Sequence, residues 1–392
     1  MRSSARDQSA ESSVRSSRRV RSIYVHSPFC RRRCSYCDFA IAILRSSSDV
    51  DRFLDGISLE LEHFGDSLRP RTLYVGGGTP SRLAPADLRE FFARLDRTID
   101  RRSVLEFTVE ANPEDVTPDR AVVLREAGVT RVSLGVQSLD PETLRQLGRR
   151  HTPEQVRHAV TLLRDAGIRS INVDLIFAVP GQTPSILDAD LTKFIELSTH
   201  HVSAYNLTYE DRTPLRSLEL LGRLTRQEPD SELVAFRLVH ERLAEAGFAA
   251  YEISNYAKPG HQSLHNLTYW NNEEYLGVGP SAVSCVGHVR WRNEPDLDVW
   301  FSTLRQGLRP VADAESLAPD RFIGESFALA LRTSRGVLLS RLERRARMPI
   351  DRERLDRIVR LMELRLLERE GPRIRLTPRG RELADCVAAE LI

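Results

Sequence analysis

Six short segments rich in β-branched and aliphatic residues alternate along the chain with segments of helical periodicity. The predicted strands, in chain order, are SIYVHSPF from Ser22, TLYVGGG from Thr72, LEFTVEANP from Leu105, RVSLGVQS from Arg131, INVDLIFAVPG from Ile171 and HVSAYNLTY from His201. Their apolar character is nearly continuous, which is typical of parallel strands that are covered on both faces. The pattern therefore predicts six buried parallel strands.

The segments between these strands carry helix signals. Apolar residues recur at helical spacing between the second and third strands, at Leu88, Phe91, Phe92, Leu95 and Ile99. Thr152 caps a later helix that starts at Pro153, and Gln155 completes a capping box. Gly167 ends that helix. Six βα units in succession predict an α/β fold, a partial (β/α)6 TIM-type barrel of parallel strands.

The regular alternation of predicted strands and helices ends after the sixth strand. We therefore divide the chain into four regions. Residues 1–20 are a Ser/Arg-rich tail without an apolar core segment, which we expect to be disordered, with a transit peptide as the alternative. Residues 21–225 hold the barrel, and residues 226–315 form an extension rich in aromatic and amide side chains. Residues 316–392 combine helical patterns with a short RIRLT strand, which predicts a mostly helical, winged-helix-like domain.

Charge and composition exclude several classes of protein. The 57 basic and 55 acidic residues leave a net charge of +2, too balanced to indicate a nucleic-acid partner, and acidic residues alternate with the arginines of the last region. No run of eighteen apolar residues occurs, so we expect no transmembrane segment, while peripheral contact with a membrane stays open. Five cysteines, most of them clustered, do not suggest a disulfide framework and fit a reducing compartment, so we expect a cytoplasmic protein.

Three of the five cysteines lie within eight residues, as Cys30, Cys34 and Cys37 in a CxxxCxxC spacing. Clustered thiolates suit zinc or an iron-sulfur cluster. Zinc would need a fourth ligand, for which His26 is nearest, and the site would then be closed and structural. A cubane cluster has four irons, so that three cysteines leave one iron open for a small molecule. The spacing by itself leaves both alternatives open.

Short polar, glycine or proline motifs follow most of the predicted strands, namely HSPFC, GGGTP, EANP, GVQS and DLIFAVPG. Turn chemistry explains any one of them, but it does not explain all of them around a cysteine cluster. The carboxyl ends of parallel barrel strands converge on one mouth, so we expect the chemistry of the protein to collect there.

The cysteine spacing after a first strand, with Tyr36 before the last cysteine and GGGTP at residues 76–80, resembles the radical S-adenosylmethionine (SAM) superfamily. The resemblance implies a 4Fe-4S cluster on Cys30, Cys34 and Cys37 whose open iron is chelated by the amino and carboxylate groups of SAM. In catalytic members of the superfamily, an electron from this cluster cleaves SAM.

The same resemblance implies a set of SAM contacts. They are Tyr24, Tyr36, Gly77, Gly78, Thr79, Glu110, Gln137, Arg149 and Asp174. Glu110 can accept hydrogen bonds from the ammonium end of SAM, Arg149 can clamp the carboxylate, and Asp174 can bond the ribose hydroxyls. Without the resemblance, Glu110 could equally cap a turn, and Arg149 could be a surface residue of its RRH run.

Further motifs resemble one branch of the superfamily, which contains the oxygen-independent coproporphyrinogen III oxidases and the HemW-type haem chaperones. They are YVHSPFC, CDF, GGGTP, EANP, RVSLGVQSLDPETLRQLGRRH, DLIFAVPGQT and HNLTYW. The oxidases extend the spacing to CxxxCxxCxC, but Phe39 stands here in place of the fourth cysteine. HNLTYW matches the HNxxYW motif of the chaperones, which implies that His265, Asn266, Tyr269 and Trp270 bind haem.

Imidazole is a natural axial ligand of haem iron, and aromatic rings can pack on a porphyrin face. A histidine beside a tyrosine and a tryptophan is, however, also a common packed and hydrogen-bonded structural residue. Cys285 and Cys386 lie outside the cluster, and we expect both to be buried thiols because free cysteine behaves as a small apolar side chain.

We therefore expect a haem chaperone that binds haem and a SAM-ligated 4Fe-4S cluster, and that passes haem to respiratory haem proteins such as cytochromes. The first alternative is a radical SAM enzyme that decarboxylates coproporphyrinogen III, and the second is a barrel stabilised by structural zinc. Whether SAM is cleaved stays open, and a reductant protein is a further partner if it is.

Overall fold

The computed structural model describes residues 20–65 and 68–392, so that the predicted tail lies outside the described residues except for Val20. The strands in chain order are β1 (Ser22–Ser27), β2 (Phe29–Cys30), β3 (Ala42–Ile43), β4 (Thr72–Gly77), β5 (Glu106–Ala111), β6 (Arg131–Gln137), β7 (Ser170–Phe177), β8 (His201–Asn206), β9 (Ala249–Ala250), β10 (Asn255–Ala257), β11 (Leu276–Val278), β12 (Val283–Val286), β13 (Val289–Asn293), β14 (Val311–Ser316), β15 (Val337–Leu338), β16 (Leu367–Glu370) and β17 (Arg373–Leu376). The helices are α1 (Ser47–Glu62), α2 (Pro85–Thr98), α3 (Pro118–Glu126), α4 (Pro141–Gln146), α5 (Pro153–Asp165), α6 (Pro184–Glu196), α7 (Pro214–Leu220), α8 (Pro229–Glu245), α9 (Leu264–Trp270), α10 (Leu297–Arg305), α11 (Pro319–Ala330), α12 (Leu339–Ala346), α13 (Arg352–Glu363), α14 (Pro378–Glu382) and α15 (Ala384–Ala389).

The central sheet has nine strands in the order β11-β1-β4-β5-β6-β7-β8-β10-β9. The seven strands from β11 to β8 are parallel to their neighbours, whereas β10 is antiparallel to β8 and β9 is antiparallel to β10. The two ends of the sheet do not pair with each other, so the barrel is partial. Each of the six predicted segments coincides with one of the strands β1, β4, β5, β6, β7 and β8, which confirms the predicted α/β barrel.

The predicted helix signals are also confirmed. The Thr152 hydroxyl accepts the Gln155 amide proton and the Gln155 side chain accepts the Thr152 amide proton, which completes the capping box of α5. Helix α2 buries Leu88, Phe91, Phe92 and Leu95 in the core between the helices and the sheet. Burying each such side chain contributes roughly 1.5–3 kcal/mol to folding, so the amphipathic pattern fixes which face of the helix meets the sheet.

A second hydrophobic core lies in the last region of the chain. Helices α11 to α15 pack with the antiparallel sheet β15-β17-β16 around apolar residues that include Phe327, Ile358 and Ile374. The Arg354 guanidinium is buried there and donates to the Leu391 carbonyl at 2.9 Å, which ties the chain's end to α13. The predicted winged-helix-like arrangement of helices and a small sheet is present. Within the described residues, no helix is long and apolar enough to cross a membrane.

Helix α9 lies across the amino ends of the barrel strands. The Thr268 hydroxyl lies 2.9 Å from the Ser22 hydroxyl at the start of β1, and His265 Nδ1 lies 2.9 Å from the Thr72 hydroxyl at the start of β4. The Glu106 carboxylate, at the start of β5, accepts the His265 amide proton at 2.9 Å. These contacts make α9 the floor of the barrel, at the end opposite the carboxyl ends of the strands.

Candidate functional site

The three clustered cysteines lie on the cysteine loop, residues 28–41, which follows β1 at the barrel mouth. Two contacts fasten this loop to the barrel. His26 Nε2 lies 2.8 Å from the Ala40 carbonyl oxygen, and the Ser35 hydroxyl donates to the Gln146 carbonyl at 2.9 Å. The loop is thus held to β1 on one side and to α4 on the other.

The thiols of the cysteine loop are partly buried and lie beside polar groups. Cys30 Sγ lies 3.6 Å from the Thr79 hydroxyl, and Arg149 Nη1 lies 3.6 Å from Cys34 Sγ. Burial raises the pKa of the Cys30 thiol to about 11 and also raises the pKa of Cys37. Burial therefore opposes ionisation of both thiols, whereas coordination to a metal would favour their thiolate forms.

The surroundings of the three cysteines and His26 bear on whether they would hold zinc or an iron-sulfur cluster. Within the described ranges, no three His, Cys, Asp or Glu side chains come close enough together to hold one metal ion. In a cubane, by contrast, each thiolate binds a different iron, so the thiolates lie farther apart. Both ring nitrogens of His26 already have partners, Ala40 and the Tyr24 hydroxyl, the latter at 3.1 Å from Nδ1. A zinc site on these cysteines would therefore need a fourth ligand other than His26 in this conformation.

The GGGTP segment at the end of β4 packs backbone against backbone on the cysteine loop. Gly77 has φ +105°, and a Cβ there would lie 2.3 Å from the His26 ring. A Cβ at Gly78 would lie 2.7 Å from the Pro28 carbonyl carbon, so neither position has room for a side chain. The Thr79 amide donates to the Phe29 carbonyl at 2.7 Å, which places the Thr79 hydroxyl beside Cys30.

A chain of polar contacts joins two of the cysteines through an asparagine that the sequence did not single out. Asn112 Nδ2 donates to the Thr79 hydroxyl at 3.1 Å, and Arg149 Nη2 donates to Asn112 Oδ1 at 2.7 Å. We call the series Cys30, Thr79, Asn112, Arg149 and Cys34 the cysteine bridge. Asn112 belongs to the EANP motif, and its amide provides both the donor and the acceptor that this position needs.

Glu110 lies beneath the glycine segment. Its carboxylate accepts the Gly77 amide proton at 2.9 Å and the Tyr74 hydroxyl proton at 2.7 Å. Burial raises the pKa of Glu110, although the two hydrogen bonds counteract the shift. The carboxylate is therefore positioned by the barrel before any ligand reaches it, and it does not cap the turn that follows it in the sequence.

A cavity of about 870 Å³, the mouth cleft, opens between the barrel and the C-terminal helices. Three of the residues predicted to bind SAM line it, namely Tyr36, Gln137 and Asp174. Gln137 has φ +68° at the end of β6, where the pairing with β7 is irregular. A left-handed conformation is uncommon outside glycine and is frequently found at functional sites.

Asp174 is held by its neighbours on the sheet. Asn172 Nδ2 donates to Asp174 Oδ1 at 2.7 Å, and the Ser133 hydroxyl lies 3.4 Å from the same oxygen. Burial raises the pKa of Asp174 to about 7, and the nearby Glu110 carboxylate adds to the shift. The carboxyl group thus lies at the edge of the mouth cleft and is held by polar side chains of the neighbouring strands.

Tyr24 lies deeper in the barrel than the other predicted SAM contacts. Its ring is 5.9 Å from that of Tyr74 and 6.5 Å from that of His265, measured between ring centres. Its hydroxyl faces His26. The residue therefore lies between the cysteine loop and the floor, and it does not line the mouth cleft.

The HNxxYW residues all lie on α9, but they face different surroundings. His265 is 1% exposed, with Nδ1 against Thr72 and Nε2 2.8 Å from the Tyr269 hydroxyl. Burial lowers the pKa of His265 to about 3, so the ring is neutral. Asn266 lines a polar cavity of about 60 Å³ inside the barrel, and the Arg332 guanidinium lies 5.0 Å from the Trp270 ring centre. In this conformation His265 has no ring nitrogen free to bind iron.

The two remaining cysteines differ from each other. Cys285 is buried, as expected, whereas the expectation that Cys386 is buried is wrong, because Cys386 is exposed and lines the mouth cleft. The short helix α15 buries Val387 in the second core, which turns the preceding cysteine outward.

Comparison with known proteins places this site in a family. The Radical SAM superfamily model matches residues 24–193, and the HemN C-terminal domain model matches residues 317–383. A protein of Lactococcus lactis called haem chaperone HemW is 35% identical over 366 residues, which cover 93% of this chain and 96% of that protein. A haem chaperone HemW of Mycobacterium tuberculosis is 36% identical over 377 residues and 94% of each chain. This chain belongs to the HemW family. Membership of the radical SAM superfamily implies that HemW chains use a 4Fe-4S cluster and SAM as cofactors.

The fold of this HemW-family chain is shared with a solved structure of another function. Coproporphyrinogen III oxidase (HemN) from Escherichia coli, described as a radical SAM enzyme, superimposes with a TM-score of 0.85 over 98% of this chain and 93% of that chain. The two sequences are 22% identical, so this likeness bears on the fold alone. It agrees with the barrel and the C-terminal region described above.

Proposed function

We propose that this protein is a haem chaperone that binds haem and a SAM-ligated 4Fe-4S cluster and transfers haem to respiratory haem proteins. The observation that carries the proposal is the similarity, over nearly the whole length, to bacterial proteins called haem chaperone HemW. Phe39, in place of the fourth cysteine of the oxidases, supports the same choice because a phenyl ring cannot replace a thiol.

The cysteine loop is the proposed cluster site. Cys30, Cys34 and Cys37 would each hold one iron, and when bound, the cluster would supply an electron and an open iron for the amino and carboxylate groups of SAM to chelate. Burial raises the pKa of Cys30 and Cys37, and coordination to the iron would deprotonate both thiols. Arg149 adds a positive charge beside Cys34.

The proposed SAM site runs from the glycine segment to the mouth cleft. Gly77, Gly78 and Thr79 would present their backbone to SAM, and the missing side chains at the two glycines let this segment pack closely against the cysteine loop. Glu110 would attract the ammonium group, and Arg149 the carboxylate. Tyr36, Gln137 and Asp174 would contact the nucleoside, and Tyr24 would support the site from below.

Haem binding is proposed for the HNxxYW helix, with His265, Asn266, Tyr269 and Trp270 as its residues. Ligation by His265 requires that the imidazole first leave Thr72 or Tyr269, so that the haem-bound state differs from the described one around α9. We further propose the division into a tail of residues 1–20, a barrel of 21–225, an extension of 226–315 and a C-terminal domain of 316–392. The proposed location is the cytoplasm, and the partners are haem-accepting respiratory proteins and, where SAM is cleaved, a reductant protein.

Anaerobic reconstitution followed by parallel assays tests the proposal. The purified protein should contain iron and sulfide, bind SAM, and develop a Soret band on addition of haemin. It should leave coproporphyrinogen III unchanged under reducing conditions. Conversion of coproporphyrinogen III would instead favour the oxidase function, and zinc without iron would contradict both.

A further inference from the structure

A row of hydrogen bonds crosses the barrel interior from the mouth to the floor. Asp174 Oδ1 lies 2.7 Å from Asn172 Nδ2, and Asn172 Oδ1 lies 2.6 Å from His201 Nδ1. His201 Nε2 lies 2.9 Å from the Tyr251 hydroxyl, and the Ser263 amide donates to that hydroxyl at 3.3 Å. All of these residues except Asp174 are buried. We call the row of Asp174, Asn172, His201, Tyr251 and Ser263 the interior relay.

The chemistry of the side chains determines which group donates and which accepts in each hydrogen bond of the relay. The Asp174 carboxylate accepts, so the amide nitrogen of Asn172 faces it, and the amide oxygen of Asn172 faces His201. His201 Nδ1 must then carry the proton, which leaves Nε2 as an acceptor for the Tyr251 hydroxyl. The ring is neutral, because burial lowers the pKa of His201 well below its usual value. All the donors therefore point toward Asp174, an order in which each bond polarises the next.

The far end of the relay meets the helix that carries the HNxxYW motif. Ser263 is the N-cap of α9, and its hydroxyl accepts the Asn266 amide proton at 3.3 Å. The Tyr251 hydroxyl is thus the only side-chain group of the relay in contact with this cap. The Glu106 carboxylate also accepts from the Ser263 hydroxyl at 3.3 Å, so Tyr251 shares the positioning of this cap with Glu106.

A second connection joins the same two regions. Tyr74 donates its hydroxyl proton to Glu110 at the mouth, and its ring lies 5.0 Å from that of His265, measured between ring centres. Glu110 and Asp174 are both proposed SAM contacts, so both routes start at the SAM site and end on α9. Neither route includes a cysteine of the cluster.

We propose that Asn172, His201 and Tyr251 are positioning residues that fix the Asp174 carboxylate for the ribose hydroxyls of SAM and couple occupation of the SAM site to α9. A ligand hydroxyl that donates to Asp174 draws charge from the carboxylate and so weakens the bond that it accepts from Asn172, and the adjustment passes along the ordered bonds to Ser263. Thermodynamic linkage makes this coupling reciprocal. If SAM changes the affinity of α9 for a second ligand by some factor, that ligand changes the affinity for SAM by the same factor. This inference rests on the SAM binding of the proposed function.

Hydrogen exchange measured on the reconstituted full-length protein tests the relay. Tyr251→Phe removes one hydroxyl from the relay and keeps the ring, and Tyr256→Phe is a matched change in another buried tyrosine of the extension. In the wild type and in Tyr256→Phe, SAM should alter the exchange of amides in residues 263–267. In Tyr251→Phe, SAM should still bind, with affinity reduced about two- to twelvefold, as expected for one hydrogen bond, and the change in exchange should be absent.

The outcomes separate this inference from the proposed function. If the wild type does not bind SAM, the proposed function fails and the relay with it. If SAM binds and the exchange of residues 263–267 does not change, or if Tyr251→Phe keeps the full change, the relay is overturned while the proposed function stands. His201→Leu, which removes both ring nitrogens and keeps an apolar side chain, is a second variant and should also abolish the response.

Discussion

The Glu106 carboxylate accepts the backbone amide proton of His265 at an N···O distance of 2.9 Å. It also accepts the Leu264 amide proton at 3.0 Å and pairs with Arg131 Nε at 3.3 Å. Both charged side chains are less than a tenth exposed. A single buried ion pair therefore holds the first turn of α9 against the barrel strands.

Neutralising Glu106 should destabilise the protein strongly. Glu106→Gln leaves the Arg131 charge buried without its partner, a change that typically costs about 3–5 kcal/mol, so the thermal unfolding midpoint should fall by about 4–6 °C. Glu126→Gln is the control, because Glu126 pairs with Arg89 on the surface at 3.6 Å, and such pairs contribute about 0–1 kcal/mol. If scanning calorimetry found the same fall in the unfolding midpoint for both variants, the Glu106–Arg131 pair would not be what holds α9 against the barrel strands.

Removal of one cysteine of the loop should abolish cluster assembly. Cys37→Ser replaces a proposed iron ligand, whereas Cys386→Ser changes an exposed thiol on α15 that lies outside the loop. Iron and sulfide analysis after anaerobic reconstitution should find most of the iron lost from Cys37→Ser and none lost from Cys386→Ser. Retention of a full cluster by Cys37→Ser would mean that a different residue holds the third iron.

The cysteine bridge predicts a role for Asn112 in binding SAM. Asn112→Ala removes one acceptor of Arg149 and the donor to Thr79, so the guanidinium is held by fewer hydrogen bonds. Two hydrogen bonds of this kind are worth about 1–3 kcal/mol, and we expect SAM affinity in anaerobic equilibrium dialysis to fall by about tenfold or more. Asn206→Ala, at an exposed amide of the same cleft, should change the affinity little. A larger loss of SAM affinity in Asn206→Ala than in Asn112→Ala would contradict the role of the cysteine bridge in SAM binding.

Replacement of His265 separates a haem ligand from a packing residue. His265→Ala should weaken haem binding by more than about tenfold while leaving the iron content of the cluster intact. Thr72→Val keeps the imidazole and removes one of its hydrogen bonds, so it should lower stability by about 1 kcal/mol and retain the Soret band. If both variants bind haemin as the wild type does, His265 only fills the floor of the barrel.

Asp174 should make the stability of the protein depend on pH. The usual pKa of an aspartate is about 3.9, and burial raises that of Asp174 to about 7. The folded protein therefore keeps this proton in a range where the unfolded chain has released it. Its contribution to stability falls as pH rises from about 4 to about 7 and is constant above. The wild type should lose stability relative to Asp174→Asn across this window in calorimetric scans. If the difference in stability between the two proteins did not change with pH, the pKa of Asp174 in the folded protein would be close to its usual value.

Local signals made most of the fold predictable. The apolar runs and the capping box at Thr152 depend on near neighbours in the sequence, and these elements agree with the structure. The short strands β9 to β13 were not predicted, because two to five residues carry too little periodicity to separate them from loops, and β14 lacks an apolar run because nearly all its residues are exposed. The expected burial of Cys386 failed for a related reason, since one residue's orientation on a six-residue helix depends on what the helix packs against.

The arrangement of the site depends on contacts between distant segments. His265 meets Thr72 across 193 positions and Glu106 across 159, so its burial under the barrel leaves no local trace in HNLTYW. The cysteine spacing and the strand-end motifs, by contrast, were visible because parallel topology gathers strand ends at one mouth. Asn112 was within a recognised motif, but its partners Thr79 and Arg149 became evident only in three dimensions.

The measurement that tests the haem-chaperone proposal most directly is transfer of haem from the reconstituted protein to a haem-free b-type cytochrome under anaerobic conditions. The proposal predicts that the protein with its cluster and SAM first acquires a Soret band from haemin, and that the cytochrome spectrum then grows as this band declines. Failure to retain haemin, or conversion of coproporphyrinogen III by the same preparation, would contradict it.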